Sequence, residues 1–576
     1  MPPRGTRAGV GTIVFAVLVS LFLAFFLVYP VALILKQAFV VKGRFTLELF
    51  RYLWTNPACS DAVRNSLIIG AATTLLSVVV AMPLAIFTGR YTFPGKKWLT
   101  GLVLVPMIMP PFVGAIGMRR MLSPNGTIDI LAVKVLSFLH LVSPDTMGAV
   151  DLARGGMLGV IILETLHLYP IMYLNVAAAL ANVDPGLEEA AKNLGASSWR
   201  LFRTVTLPLT TPGLFAGAII VFVWAFTDLG TPLIFDFKAV IPAQIFDYYK
   251  SANENPFTFS FVVLVIVICA AAFWLSKRFT DRRTYYMLSK NTRGKAETPL
   301  GARGAVLAYC LFGVVTLVAV LPHISVILTS LSTPATWSLT AFPTALTLEH
   351  YRDILTRDET LAGIKNSLFY SAGSTAFDIV IGVGIAYVLA RKRLFGRGAL
   401  DLVAMMPLAL PGFVLAFGYW AAFAGSATFR FLDPFRNPTL LLMVSYSVRR
   451  LPFMVRSVYA GFQQVSPALE EASANLGAGP LRTLRKITVP LVFANILAGT
   501  ILCFSFAMLE VSDSLILASE RPYYPITKVI YDLNMVIQNS TNLAAAMGVL
   551  GMVLLVLSLL VAGRVLGERM GELFRA

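Results

Sequence analysis

Long runs of uncharged, apolar residues restrict what this chain can fold into. The stretch from Ala8 to Leu35 contains no charged residue, and neither does the stretch from Leu67 to Gly89. A helix of roughly 20 apolar residues is long enough to cross the hydrocarbon core of a bilayer. Only 13% of all residues are charged, against roughly a quarter in soluble domains. The pattern predicts an all-α polytopic membrane protein in contact with the lipid bilayer.

About twelve such spans are predicted, six in each half of the chain. Because the number per half is even, both halves run in the same direction through the membrane. We therefore expect a pseudo-twofold axis along the membrane normal to relate them. The predicted spans are 10–35, 66–89, 99–118, 157–181, 212–235 and 258–276 in the first half, and 304–331, 367–390, 399–423, 438–462, 490–517 and 543–563 in the second.

Basic residues predict the orientation of these spans, because cytoplasmic loops carry an excess of Lys and Arg. The short loops 90–97 and 391–397 are rich in both residues. This distribution places the N- and C-termini in the cytoplasm and accounts for the net charge of +17, so no nucleic-acid partner is expected. The first apolar run is far longer than the apolar region of a signal peptide, which has roughly 7–15 residues, and this favours an uncleaved span.

The second half repeats the first at matched spacings. Ser66 and Arg90 correspond to Ser367 and Arg391 at an offset of 301 residues, and farther along the offset is 282. The first half therefore carries 19 additional residues, which we place in the predicted outer loop 119–155. The predicted units are a first repeat at 1–280, a basic cytoplasmic linker at 281–302 and a second repeat at 303–576.

One repeated segment has the signals of a short helix, a tight turn and a second helix. Asp184-Pro185 and Ser466-Pro467 open its two copies and suit the cap and first position of a helix. A glutamate pair then follows near the positive end of the helix dipole, and a glycine fits the C′ position, where φ is positive. We expect compact knobs at about 184–208 and 466–490, each followed by a span. An amphipathic helix on the membrane surface is the simpler alternative.

The repeated segment resembles the EAA motif of ATP-binding-cassette importer permeases. Its first copy reads Glu189-Ala190-Ala191 and then Gly195, and its second copy lies 282 residues later. The resemblance implies a fused, two-domain type I permease whose knobs dock onto a soluble ATPase. The coupling residues that it implies are Glu188, Glu189, Ala190, Ala191, Gly195, Glu470, Glu471, Ala472 and Gly477.

The same resemblance implies the partners of the chain. They are two copies of a soluble ATPase subunit on the cytoplasmic side and a periplasmic or extracellular solute-binding protein, at a bacterial inner membrane. No G-x-x-x-x-G-K-[ST] pattern is present to cradle nucleotide phosphates. We therefore expect the chain to be no enzyme and to bind no cofactor or metal, with ATP and Mg²⁺ on the partner ATPase.

Charged residues inside predicted spans are candidates for the translocation path, because charge is costly within a membrane. Asp228 aligns with Glu510 at the offset of 282, and Gly230 and Pro232 after Asp228 predict a loosened helix. The alternative is that these groups pair with one another and hold the helices together. The candidate path residues are Asp228, Glu510, Asp513, Glu164, His167, Arg449 and Arg450.

The fused organisation, with an acidic residue in the fifth span of each half, is similar to that of iron(III) importer permeases. Related permeases handle thiamine, aminoethylphosphonate or phosphorylated sugars. Two facing carboxylates would suit a trivalent cation, whereas Arg449, Arg450 and Arg456 would suit a phosphate-bearing solute. The sequence favours iron(III) without fixing the substrate. Alternatives of other classes are a secondary transporter of the major facilitator type and a channel or assembly factor.

Overall fold

The computed structural model describes residues 6–7, 9–141, 143, 156–181, 183–252, 255–281, 298–337, 340–537 and 540–566. Within these residues the chain is almost entirely helical, as predicted, and its strands are pairs of two residues each. Eight helices are long and apolar enough to cross a membrane, or eleven if each bent pair counts as one span. The predicted linker lies mostly outside the described residues, as does the end of the predicted outer loop 119–155.

A further helix, Thr439–Gln464, occupies the place of the predicted tenth span. Because it contains three arginines, it is not among the eight helices selected by length and composition. It packs against Asp358–Arg391 in the second half as Met157–Ala181 packs against Pro57–Arg90 in the first. With this helix included, the described residues contain the twelve spans of two equivalent six-span halves.

The helices run in the same order in both halves, and each span is named below by its number along the chain. In the first half, spans 1 to 6 are Val10–Leu23 continued by Tyr29–Phe39, Pro57–Arg90, Lys96–Val103 with Pro111–Leu122, Met157–Ala181, Leu207–Thr227 with Gly230–Ile234, and Phe257–Asp281. In the second half, spans 7 to 12 are Ala302–Leu331, Asp358–Arg391, Arg397–Met405 with Gly412–Phe423, Thr439–Gln464, Phe493–Met508 with Ser512–Leu517, and Thr541–Leu566.

Shorter elements connect these spans. The connecting α-helices are Glu48–Thr55, Thr127–Phe138, Pro185–Asn193, Ser198–Leu201, Ile241–Tyr248, Glu349–Thr356, Ala468–Asn475, Pro480–Thr483, Val489–Leu491 and Ile526–Met535. The π-turns are Ala24–Val28, Phe202–Thr206 and Leu484–Thr488, and the 3-10 turns are Val105–Ile108, Tyr249–Ser251, Pro334–Thr336, Met406–Leu408, Arg430–Leu432 and Arg521–Tyr523. The strands are Thr6–Arg7, Val40–Val41, Arg44–Phe45, Tyr91–Thr92, Thr298–Pro299 and Lys392–Arg393.

Four of the twelve spans are bent or broken within the described residues. Span 3 bends by 90° just before Pro111, and span 9 bends by 103° next to Pro411. Proline lacks the N–H that a continuing helix needs and disfavours helical geometry in the residue before it. Span 5 stops at Thr227 and span 11 stops at Met508, and each resumes a few residues later. The loosened helix predicted from Gly230 and Pro232 is present in span 5, whereas the break of span 11 was not predicted.

Two short parallel strand pairs show that the halves exchange their N-terminal segments. Thr6–Arg7, which precedes span 1, pairs with Lys392–Arg393, which follows span 8. In the reciprocal pair, Thr298–Pro299 precedes span 7 and joins Tyr91–Thr92 after span 2. Because each pair is the equivalent of the other with the halves exchanged, the arrangement agrees with a pseudo-twofold relation. It also brings both N-terminal segments to the end of the molecule that carries the short basic loops.

The two halves are also in backbone contact within the helical bundle. Span 3 crosses span 7 at Gly117, whose carbonyl accepts a hydrogen bond from Ser325 Oγ at 2.6 Å. A Cβ atom at Gly117 would come within 2.5 Å of the Val326 backbone nitrogen. Small residues allow such close approach of helices in a membrane, where packing replaces the hydrophobic driving force. Gly117 therefore allows spans 3 and 7 to pack closely at this crossing, which we call the seam between the halves.

Two helices on the side opposite the short basic loops occupy equivalent positions. We call Ile241–Tyr248 the first outer helix and Ile526–Met535 the second. The backbone N–H of Ile241 donates to Ser66 Oγ at 2.9 Å, and that of Ile526 donates to Ser367 Oγ at 2.8 Å. Ser66 and Ser367 are the repeat-related serines of spans 2 and 8. The two hydrogen bonds make Ile241 and Ile526 corresponding residues.

Gly117→Leu is expected to weaken the seam between the halves, because the added side chain meets backbone atoms that have no room to move. Overpacking of this kind costs on the order of 1–3 kcal/mol. The control is Gly313→Leu, because Gly313 lies in span 7 with nothing within 4 Å of an added Cβ. Thermal stability of the detergent-solubilised protein should fall for the first variant and stay unchanged for the second. Equal stability of both variants would contradict the assigned seam.

Candidate coupling and translocation sites

The repeated segment forms the predicted knob in both halves. Pro185–Asn193 is the first coupling helix and Ala468–Asn475 the second. Gly195 follows the first with φ of 76°, and Gly477 follows the second with φ of 80°. The N–H groups of each glycine and of the next residue donate back into the last turn, which is the Schellman arrangement. The conformation predicted for both glycines is present.

The two coupling helices begin in the same way. In the first, Asp184 Oδ1 accepts a hydrogen bond from the Gly186 N–H at 2.9 Å, with Pro185 as the first helical residue, as predicted. In the second, Ser466 Oγ accepts from the Ala468 N–H at 3.4 Å, and the backbone of Pro467 is already helical one residue before the regular helix starts at Ala468. Ser466 and Pro467 therefore play the roles of Asp184 and Pro185, as predicted.

Both knobs expose large apolar side chains at corresponding positions. Leu194 is 88% exposed and Leu476 is 89% exposed. Exposed apolar residues that cluster on a soluble surface are typical of interaction sites. The remaining exposed residues of the knobs include three of the implied coupling pairs. These exposed residues are Leu187 and Leu469, Glu189 and Glu471, Ala190 and Ala472, and the glycines Gly195 and Gly477.

The first glutamate of each pair points inward instead. Glu188 is ion-paired with Arg90, the last residue of span 2, and both side chains are mostly buried. Thr206 completes this cluster, since its Oγ1 accepts from Arg90 Nη2 at 2.6 Å and donates to Glu188 Oε1 at 3.2 Å. The cluster joins span 2, the first coupling helix and the start of span 5.

The second half repeats this connection. Arg391, the last residue of span 8, donates from Nε to Glu470 Oε1 at 3.0 Å. Its Nη2 also donates to the Val465 carbonyl at 2.6 Å, and its guanidinium lies over the Phe462 ring. Arg391 is 7% exposed, so the ion pair is shielded from water and is screened less than a surface pair.

Arg90 and Arg391 served to align the two halves and, within the short basic loops, to orient the chain, but they were not assigned to the site. Their alignment at the offset of 301 could have indicated a role in the site. Basic residues that only set the orientation of the chain need not occupy matching positions in the two halves. The structure also explains one difference between the two copies of the motif. Ser473, which stands where the first copy has Ala191, is buried and shares a 2.9 Å hydrogen bond with Thr483 inside the knob.

The candidate path residues of the second half form one buried cluster. Glu510, at the break of span 11, is ion-paired with Arg449 and Arg450 of span 10. Asp513 Oδ2 lies 3.3 Å from Arg449 Nη1. Glu510 is 5% exposed and Asp513 is fully buried. Removing one member of such a buried pair leaves an uncompensated charge, so these four residues hold spans 10 and 11 together.

The candidate path residues of the first half are arranged differently. Thr231 donates from Oγ1 to Glu164 Oε1 at 2.9 Å and from its backbone N–H to Asp228 Oδ2 at 2.8 Å. Thr231 thus bridges Glu164 and Asp228. Among the residues described, neither carboxyl group has an ion pair with Lys or Arg. The first half thus holds two neighbouring carboxyl groups without a basic partner.

The remaining candidate, His167, lies apart from both clusters. Its Nδ1 is 3.1 Å from the carbonyl oxygen of Pro106, next to the kink of span 3. Asp228 and Glu510 align in sequence, but each finds its charged or polar partners within its own half. The described part of the chain contains no group of three or more His, Cys, Asp or Glu side chains arranged to hold a metal ion.

Two segments of the chain, 81–285 and 379–572, match the family described as binding-protein-dependent transport system inner membrane component. One segment lies in each half, and together they cover more than half of the chain. The chain belongs to this family. It is a multi-pass membrane permease with two fused permease domains, of the type found in ATP-binding-cassette importers. This membership excludes the secondary-transporter, channel and assembly-factor alternatives.

Several relatives extend over most of the chain. The ferric transport system permease protein FbpB of Actinobacillus pleuropneumoniae is 25% identical over 571 residues, which cover 96% of this chain and 77% of that one. The Fe(3+)-transport system permease protein FbpB 2 of Haemophilus influenzae is 21% identical over 80% of this chain and 82% of that one. The molybdate/tungstate transport system permease protein WtpB of Thermococcus kodakarensis is 30% identical over 45% of this chain and 93% of its own length.

Glu510→Gln is expected to lower the stability of the folded protein, because Arg450 and Arg449 then lose a buried charge partner. Breaking a buried pair in this way costs about 3–5 kcal/mol. Asp228→Asn is the matched control, because Asp228 has no basic partner among the residues that the structure describes. The yield of monodisperse protein and its melting temperature should fall for Glu510→Gln and change little for Asp228→Asn. The reverse order would contradict the assignment of the second-half cluster.

Proposed function

We propose that this chain is the transmembrane permease subunit of an ATP-driven importer for iron(III) and supplies both halves of the translocation path. One soluble ATPase subunit docks onto each knob at the cytoplasmic face, and a solute-binding protein delivers cargo to the opposite face. ATP and Mg²⁺ belong to the ATPase, and the N- and C-termini face the cytoplasm. The single observation that carries the proposal is the duplicated knob, which presents the same exposed residues and the same internal ion pair in both halves.

Exposure of the knobs supports their role in docking. Leu194 and Leu476 are nearly fully exposed leucines at equivalent points, and an apolar side chain gains most from burial when a partner covers it. Glu189 and Glu471 lie beside them on the exposed surface. An ATPase surface with an apolar groove and basic residues around it would complement this arrangement.

The ion pairs inside the knobs give a physical route for coupling. The Arg90–Glu188 pair connects the first coupling helix with the end of span 2, and Arg391–Glu470 connects the second with the end of span 8. A coupling helix that is displaced by the closing ATPase would therefore move these spans with it. Motion of an ATPase dimer would reach the membrane helices without requiring a flexible linker.

The iron(III) assignment rests on two observations. Relatives that span most of the chain are described as ferric transport permeases. In addition, Glu164 and Asp228 form a carboxyl pair without a basic partner in the described structure, and carboxylate oxygens are hard donors suited to a hard cation. Arg449 and Arg450 are already neutralised by acidic neighbours, which weakens the case for a phosphate-bearing or phosphonate solute. Thiamine has no specific support.

Two double substitutions should affect docking and coupling separately. Leu194→Ser with Leu476→Ser should weaken association with the ATPase about tenfold or more, since two exposed apolar anchors are lost. Arg90→Gln with Arg391→Gln should leave association intact but reduce transport about tenfold or more while ATP hydrolysis continues. Lys97→Gln, at an exposed lysine of the same face, is the control for both.

Binding and ATP-driven uptake can be measured on the same reconstituted complex. Transport by the double arginine variant at the level of the Lys97→Gln control would contradict the coupling route. Unchanged ATPase affinity in the double leucine variant would contradict the docking surface.

The cargo is tested by uptake into proteoliposomes that contain this chain, the ATPase and the binding protein. Radioactive iron(III) should accumulate only with ATP, and Asp228→Asn should reduce its uptake about tenfold, because one of two hard donors is lost. An unchanged rate of ATP hydrolysis in that variant serves as the control. Uptake of molybdate or of a phosphonate in place of iron(III) would overturn the cargo assignment but leave the importer assignment standing.

A further inference from the structure

The two outer helices meet each other directly. Phe246 of the first contacts Tyr531 of the second edge to face, with ring centroids 5.7 Å apart. The register that equates Ile241 with Ile526 also equates these two residues. Two positions related by a twofold axis can touch each other only where the axis passes between them. The Phe246–Tyr531 contact therefore lies on the pseudo-twofold axis, at the outer end of the bundle.

A buried lysine lies at this contact. The Lys528 ammonium is 5.4 Å from the centroid of the Tyr524 ring, 5.5 Å from that of Tyr531 and 5.7 Å from that of Phe246. A cation within about 6 Å of an aromatic centroid is attracted by the ring quadrupole, most strongly where water is excluded. Lys528 is only 8% exposed. Burial lowers the pKa of Lys528 to about 8, so the ammonium form prevails at pH 7.

The lysine occurs in one half only. In the register of the outer helices, Ala243 corresponds to Lys528 and Ala239 corresponds to Tyr524. The second half therefore supplies the ammonium group at the axis, while the first half contributes Phe246. The two outer helices are equivalent in position but differ in chemistry at this contact.

The same helix is bonded to the broken span 11. Lys528 Nζ donates to the Leu515 carbonyl at 3.1 Å, and Thr527 Oγ1 donates to the Glu510 carbonyl at 2.7 Å. Both acceptors belong to the part of span 11 around its break. A change in the break would move the second outer helix, and with it the ammonium group on the axis.

We propose that Lys528, Phe246, Tyr524 and Tyr531 form the outer gate of the translocation path, closed by the lysine ammonium held among the three rings. The proposal rests on the proposed function, because a gate requires a transport path along the axis. Cargo that enters from the outer face must separate Phe246 from Tyr531 and release the ammonium from the rings. The gate opens when span 11 rearranges at its break and withdraws Lys528.

The test uses the full-length chain in nanodiscs with a cysteine reporter at Ala243, the buried counterpart of Lys528. Its reaction with a membrane-impermeant maleimide reports opening of the gate. Labelling of the parent protein, with Cys310 exposed and Cys59, Cys269 and Cys503 buried, is subtracted. Lys528→Ala should raise the labelling rate of Ala243→Cys about tenfold or more, as expected for loss of a desolvated cation–π site.

Two control variants and a rescue experiment test whether the positive charge of Lys528 keeps the gate closed. Lys528→Arg keeps a cation in the site and should label slowly, and so should Lys365→Met, which changes an exposed lysine on the outer side. The side-chain atoms missing from Lys528→Ala equal those of n-propylammonium. Added n-propylammonium should restore protection of Ala243→Cys, whereas 1-propanol at the same concentration should not.

Slow labelling in Lys528→Ala, with the protein shown to be monodisperse, would overturn the gate. Equal rescue by 1-propanol would overturn the role of the charge. The labelling needs neither ATPase nor cargo. Failure of the chain to bind an ATPase would therefore count against the proposed function and not against the gate, and the two failures are distinguishable.

Discussion

Partnering of charge inside the bilayer is the constraint on which the rest of this structure depends. An ionised group in a hydrocarbon environment is tolerated when another group compensates it. In the second half Glu510 and Asp513 meet Arg449 and Arg450, so a break in span 11 can be maintained in the membrane. The Glu510 carbonyl at the break accepts from Thr527, and the Leu515 carbonyl, near the end of the short helix that follows the break, accepts from Lys528. The second outer helix is therefore held by hydrogen bonds to span 11, and the ion pairs of Glu510 and Asp513 stabilise the break of that span.

The two halves share a fold and differ in this chemistry. Where the first half has Glu164 and His167, the second has Tyr446 and Arg449. As a result, Asp228 adjoins a second carboxyl group while Glu510 adjoins two guanidinium groups. At the knobs the halves stay alike, with one arginine–glutamate pair in each. The two halves thus differ in charge at the proposed path and keep the same arginine–glutamate pair at the knobs, as expected if one path serves a single cargo and two identical ATPase subunits drive it.

Local rules allowed much of the fold to be predicted. The positive φ of Gly195 and Gly477 follows from a helix that must end within a short motif, and the twelve spans follow from apolar length. The break in span 5 was predicted from Gly230 and Pro232, but the break in span 11 was missed, because average hydropathy does not register the loss of helix after Met508. The side chains that contact Asp228 and Glu510 were not predicted, for a different reason. Alignment made Asp228 and Glu510 equivalent, but their neighbours come from other spans, and only the packed structure shows which side chains those are.

The central claim is that one chain supplies both halves of the path and binds one ATPase subunit on each knob. Native mass spectrometry of the complex purified from membranes measures this directly. The account predicts a mass equal to one copy of this chain and two copies of the ATPase. A complex that contains two copies of this chain for two ATPase subunits would contradict it, because each chain would then contribute only one functional knob.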